Sequence, residues 1–202
     1  LFVLFPRIDP LWSLPSRLGQ GSTGMSDVLS PGSVSRLARS ADVAFRAQFN
    51  APVPSPSALY WRGMVLNRFE DGAWRRTEIS QLPPNEQTPR GSDNVSAAIR
   101  YRVIMEPSQQ RWLYALPYAQ SDSARVVISP DNHLLQRELI TTQFAYDVTT
   151  WLGAGSDQPL TAWRRNYEQQ LPQGLNPRTR AWVAANNASD PSQFIEQVLR
   201  YF

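Results

Sequence analysis

The side chains that usually carry enzyme chemistry are nearly absent from this sequence. Its 202 residues include one histidine, His133, no cysteine and no lysine, and all twenty basic residues are arginine. Without Cys there is no thiolate nucleophile, no disulfide, no Cys-ligated zinc and no iron–sulfur cluster. Without Lys there is no Schiff base, no Ser–Lys dyad and no P-loop lysine. A single His leaves no two-His metal site or HExxH motif. Gly19-Gln20-Gly21-Ser22-Thr23-Gly24 fits GxGxxG, but that chemistry needs a preceding strand and a following helix whose amides meet a pyrophosphate. Pro15 stands before it and Pro31-Gly32 after it, and Met25 occupies the position a P-loop gives to Lys. His133 follows a Pro130-Asp131-Asn132 turn, which makes it a turn-edge residue with a structural or solvent-facing role, since no local Ser and acid complete a triad. The neighbours Trp61-Arg62, Trp74-Arg75, Arg111-Trp112 and Trp163-Arg164 could stack bases or sugars, yet on a strand such neighbours point to opposite faces and read as Trp inward, Arg outward. Glu70 has no second acid at a spacing that suggests glycoside chemistry. Hence no catalytic, cofactor-binding or metal-binding residue is assigned within the chain, and no cofactor.

The elements that would position any site are mainly strands. With 42% apolar and 11% aromatic residues, the chain can bury a core. Its net charge of +3 is mild and does not by itself call for nucleic acid. Alternation over Val43–Phe49 and Ile99–Met105 reads as strand, the first half-buried, and Gln143–Thr150 as a further strand-like run. Leu59–Phe69 and Ala73–Ile79 around Asp71-Gly72 read as a hairpin, residues 81–94 as an exposed loop. Arg111–Leu116, Ala124–Ser129 and Leu134–Ile140 complete seven or eight strands at roughly ten-residue spacing, the pattern of an antiparallel sandwich or barrel. Residues 13–41, rich in Gly, Ser and Pro, show no periodicity and read as loop.

After Trp151 the pattern turns helical. Gly153–Pro159 reads as linker, Leu160–Gln170 as helix. Asn176-Pro177 is an N-cap with Pro at the first helical position, opening a helix to about Asn186. Asp190-Pro191 with Gln193 opens another, in which Ile195, Val198, Leu199 and Phe202 fall on one face. That face ends uncovered at Phe202, which suggests that more protein follows in the gene. At the other end, Leu1–Phe5 is far short of the about 20 residues a membrane span needs. Followed by Pro6-Arg7 and Trp12, it resembles the last residues of a transmembrane helix with its interfacial flank, although a buried strand would read the same way. No signal-peptide pattern precedes it.

Several stretches together resemble one family. They are Leu1–Arg7 with Pro10-Leu11-Trp12, Met25-Ser26-Asp27, Ser30-Pro31-Gly32-Ser33, Leu37-Ala38-Arg39-Ser40, Ala44-Phe45-Arg46 and, above all, Leu59-Tyr60-Trp61-Arg62-Gly63. In this order they resemble TgpA-type bacterial transglutaminase-like membrane proteins, and Leu171–Phe202 is similar to the opening helices of that family's catalytic domain. The resemblance implies an α+β chain in three parts: a membrane-proximal loop-rich segment (1–42), a β-rich periplasmic domain (43–152) and the first helices of a papain-like transglutaminase core (160–202). It implies acyl transfer from protein glutamine by a Cys–His–Asp triad that lies outside this chain. It also implies a place at the periplasmic face of the inner membrane, with the remainder of the core, flanking transmembrane helices and a periplasmic protein substrate as partners and no nucleic acid. The alternative is a cell-envelope binding module that uses its sandwich surface. Alone, the β part is expected to fold and residues 160–202 to be loosely held.

Overall fold

The structure is a computed structural model that describes residues 28–30, 42–90, 97–152, 159–186 and 190–201. The Gly19–Gly24 motif, the N-terminal apolar run and most of the Gly153–Pro159 linker lie outside them. The fold is α+β, with antiparallel sheets and three helices, and no sheet closes into a barrel among the described residues. The strands are β1 (Val28–Leu29), β2 (Phe45–Phe49), β3 (Arg68–Glu70), β4 (Ala73–Arg75), β5 (Ala98–Met105), β6 (Val126–Ile128), β7 (Leu134–Gln136) and β8 (Phe144–Trp151); the helices are α1 (Ala162–Glu168), α2 (Pro177–Ala185) and α3 (Pro191–Tyr201). They form sheets of order β1-β4-β3, β2-β5-β8 and β6-β7. None of the helices is long and apolar enough to cross a membrane.

The core lies on one face of β2-β5-β8. Alternation puts Tyr101, Val103 and Met105 of β5 beside Phe144, Tyr146 and Val148 of β8, all buried, while Arg100, Arg102, Ala145 and Asp147 face out. The facing layer is the β6-β7 hairpin and residues 112–116. Two tyrosine hydroxyls join the layers: Tyr101 accepts from the Leu116 N–H at 2.8 Å, and Tyr146 donates to the Tyr114 carbonyl at 2.7 Å. Burial raises the pKa of both hydroxyls, so they stay protonated.

Two expected strands are not continuous. Arg111–Leu116 makes only isolated bridges, Trp112 to Leu135 and Ala115 to Arg62. Each half of the segment pairs with a different neighbour, so neither side forms a ladder. Leu59–Asn67 is likewise irregular, and the hairpin at Asp71-Gly72 shrinks to three residues a side, although both turn residues have the positive φ (52° and 74°) that a two-residue hairpin loop demands. The strand expected over Leu134–Ile140 stops at Gln136. Conversely, Val28–Leu29 in the segment read as loop pairs with Arg75 and Trp74 of β4, because a partner strand, and not local periodicity, completes that edge.

Gly63 sits where the irregular segment crosses the core. A Cβ there would lie 3.1 Å from the Tyr114 ring and 3.3 Å from the Trp112 ring. Gly63→Ala is therefore expected to destabilise the chain by about 1–2 kcal/mol through overpacking, read as a lower urea midpoint at unchanged slope. An unchanged midpoint would mean that the two rings yield freely.

Candidate functional site

The most developed polar site is centred on Arg164 of α1. Thr161 caps the helix, its hydroxyl accepting from the Arg164 N–H at 3.1 Å. From there the guanidinium turns inward to only 4% exposure. Its Nε donates to Glu86 Oε2 at 3.2 Å and its Nη2 to the Glu86 carbonyl at 3.3 Å. Its Nη1 donates to Asp131 Oδ1 and, at 3.2 Å, to Glu168 Oε1 one turn along the helix. One planar cation thus joins the 3-10 turn at residues 84–86, the β6-β7 turn and α1. Beside it opens a recess of about 400 Å³ lined also by Arg62, Arg90, Tyr118 and Asn132.

The charges are tuned by these contacts. Hydrogen bonds from the Thr161 hydroxyl and Arg164, together with the charges of Arg164 and Arg90, outweigh burial and hold the Glu86 carboxyl below the usual range. Burial works against the Arg164 charge, but Asp131 and Glu86 outweigh it and raise the pKa further. For Glu168 burial dominates and the pKa rises despite Arg164. A buried Arg with three carboxylate partners ties the three segments together as a structural clamp.

His133 ends the β6-β7 turn, but at 4% exposure it does not face solvent. The Ser129 hydroxyl oxygen accepts from the Asp131 and His133 N–H groups, both at 3.2 Å, and lies 2.7 Å from His133 Nδ1. With its acceptor positions filled, the hydroxyl gives its own hydrogen to Nδ1, which places the imidazole hydrogen on Nε2. Nε2 is buried with no hydrogen-bond partner among the described residues. Burial first, then the charges of Arg62 and Arg76, outweigh Asp131 and push the pKa down to about 4. Ser129 is itself buried, so this Ser–His pair closes a turn and offers no nucleophile.

The Trp–Arg neighbours divide. Trp112 is buried with Arg111 outside, as alternation predicts, but Trp74 is exposed on β4. Trp163-Arg164 is inverted, with the cation as the buried member, because on a helix successive residues are not on opposite faces and three carboxylates await the Arg. Glu70 pairs with Arg68 at 3.0 Å on β3. Among the described residues no group of three or more His, Cys, Asp or Glu could hold a metal. The Arg164 clamp escaped sequence reading; its only local trace is Thr161 three residues before an Arg and Glu168 four after it.

The other surface feature is apolar. Asn176 takes a left-handed conformation (φ 54°) instead of the extended one from which an N-cap side chain reaches the helix amides, and its side chain makes no cap, contrary to expectation; the Asp190 carboxylate does cap, accepting from the Ser192 N–H at 3.1 Å. Neither α2 nor α3 buries a residue. Val183, Ile195, Leu199 and Tyr201 are exposed, and a groove of about 870 Å³ lies between the helices along Trp182, Val183, Phe194 and Val198.

A sequence model of the TgpA N-terminal domain matches residues 1–157. Over 185 residues the chain is 39% identical to the protein-glutamine gamma-glutamyltransferase of Pseudomonas aeruginosa, an alignment covering 90% of this chain and 26% of that protein. It superposes on the crystal structure of the periplasmic domain of TgpA from Pseudomonas aeruginosa bound to ethylmercury with a TM-score of 0.74, at 33% identity, over 88% of this chain and 62% of that one. A second crystal structure of that periplasmic domain gives a TM-score of 0.72 at 31% identity, over 88% and 61%. The chain therefore spans about a quarter of the curated relative and about three-fifths of the solved domain.

Proposed function

The chain belongs to the TgpA N-terminal domain family, and from that premise we propose that it is the non-catalytic front part of a periplasmic transglutaminase-like enzyme held at the inner membrane by flanking transmembrane helices of its parent. The observation that carries this is the exposed apolar side chains on α2 and α3: Val183, Ile195 and Leu199 face solvent and neither helix holds a fully buried residue, which suits docking the remainder of a catalytic core. In that parent a Cys thiolate from outside this chain attacks the glutamine carboxamide carbon. The C–N bond breaks, ammonia leaves with a proton, and the resulting thioester is resolved by an amine, which regenerates the thiolate. This chain, having no Cys, supplies none of these groups. Its role is to hold the core against the β domain, with Arg164 clamping the first helix. The physiological substrate would be a periplasmic protein.

The binding-module reading draws less support, since Trp74 is the sole exposed tryptophan among the described residues. The test uses the full gene product that carries this chain, scored by incorporation of a fluorescent amine into a glutamine-bearing protein. Activity abolished by iodoacetamide is expected, and its absence would sink the enzymatic reading. Leu199→Glu, at a position 73% exposed, is expected to leave the melting of the 202-residue chain unchanged and to reduce incorporation by the full product more than ten-fold, a cost of about 1.4 kcal/mol or more in core docking. Full activity in that variant would show that α3 docks nothing.

A further inference from the structure

Among the described residues the sheet β2-β5-β8 ends in one covered edge, along β8, and one uncovered edge, along β2. Along β8 the outer edge is capped: Gln120 exchanges main-chain hydrogen bonds with Thr149 at 2.8 and 2.9 Å, and the Ser121 hydroxyl donates to the Asp147 carbonyl at 2.7 Å. Along β2 nothing comparable occurs among the described residues. The bonds from the Asn50 N–H to the Arg100 carbonyl and from the Glu106 N–H to the Ala44 carbonyl fix the parity of the ladder. Even-numbered residues of β2 turn their main-chain groups to β5, and Phe45, Ala47 and Phe49 turn theirs outward. No main-chain bond joins those three outward residues to another described residue. The strand carries no Pro or bulge, two of the usual defences of an open edge, and its one charge, Arg46, stands on the solvent face.

What such an edge binds is extended backbone, and the sequence Phe45-Arg46-Ala47-Gln48-Phe49 is complementary to itself in one register. Turned antiparallel about Ala47, Phe45 meets the second copy's Phe49 and Ala47 meets its counterpart, all with outward main-chain groups, so each pair exchanges two hydrogen bonds. On the solvent face Arg46 meets the second copy's Gln48, and no like charges stand opposite. On the inner face Phe45 and Phe49 flank Trp61, at 5.0 and 6.3 Å, so the same aromatic row from each copy would be continued across the axis. We propose that two copies of this chain pair β2 to β2 across a two-fold axis at Ala47, joining their three-stranded sheets into one continuous sheet.

Sedimentation equilibrium of the 202-residue chain tests this, with a concentration-dependent dimer expected at micromolar concentrations. Ala47→Pro removes an N–H that bonds nothing within one copy, so it is expected to abolish the dimer and leave the near-ultraviolet circular dichroism unchanged. Gln48→Glu places a carboxylate against Arg46 twice and is expected to tighten the dimer on the order of ten-fold at low salt; Gln48→Arg is expected to weaken it on the order of ten-fold. Should Ala47→Pro fail to fold, the opposite shifts of the two position-48 variants still decide. A chain monomeric at all concentrations, or a dimer indifferent to all three substitutions, overturns the proposal.

Discussion

Arg164→Ala is expected to destabilise the chain by about 3–5 kcal/mol, the cost of leaving buried charges without their partner. The carboxylates stranded would be Glu86, itself 5% exposed, and Asp131. Of the tethers between α1 and the strand-bearing part, the hydrogen bond that the Tyr167 hydroxyl donates to Thr77 Oγ1 at 3.1 Å would remain, as would that from the Thr161 hydroxyl to Glu86, each worth about 1 kcal/mol. Most of the charged contacts that fasten α1 thus run through one side chain, Arg164. Urea unfolding would measure the total, and Trp163 fluorescence would report on α1. Arg164→Lys should recover only part of the loss, since an ammonium cannot place planar N–H groups on three carboxylates at once. The clamp also sets an acid limit: with its folded pKa below 4.5, Glu86 contributes stability that is present above pH 4.5 and lost as pH falls through the lower folded value. A loss below 1 kcal/mol in Arg164→Ala would show that the clamp merely decorates a helix held elsewhere.

The second large effect is the acid response of His133. Its folded pKa is about 4 against 6.5 unfolded, so between those values the unfolded chain binds a proton that the folded chain refuses. Stability therefore falls as pH drops from 6.5 toward 4, by roughly 3 kcal/mol over the full window. Glu168 acts in the opposite sense, because its raised pKa makes the folded state take up a proton first as pH falls. Unfolding free energies measured from pH 7 to pH 4.5 should accordingly show a flatter decline in His133→Gln and a steeper one in Glu168→Gln. As the chain has one His, a proton NMR titration reads its pKa from a single ring signal. A midpoint near 6.5 would mean that the imidazole is wet and would remove the prediction.

How much of this could be read before folding depends on how far apart the determinants lie. The long strands β5 and β8 were legible, because alternation along Ala98–Met105 and Phe144–Trp151 is a property of a few consecutive residues on one buried face. The Asp71-Gly72 turn and the helix opened by Asp190-Pro191 were legible for the same reason: caps and turns act through neighbours. The α+β class and the family likeness followed from these local signals and from motif order, and the lack of Cys and Lys fixed what the chain cannot do chemically. Tertiary structure decided the rest. Val28–Leu29 becomes a strand only because Trp74 and Arg75 present an edge to it. Arg111–Leu116 fails to be one because two partners divide it. His133 looked like a turn-edge residue because burial is not written in a turn. Arg164 is an anchor because Glu86, 78 residues away, and Asp131, 33 away, converge on it; no local pattern encodes the meeting of charges that distant, and only the packed chain brings their fields together in a place water cannot screen.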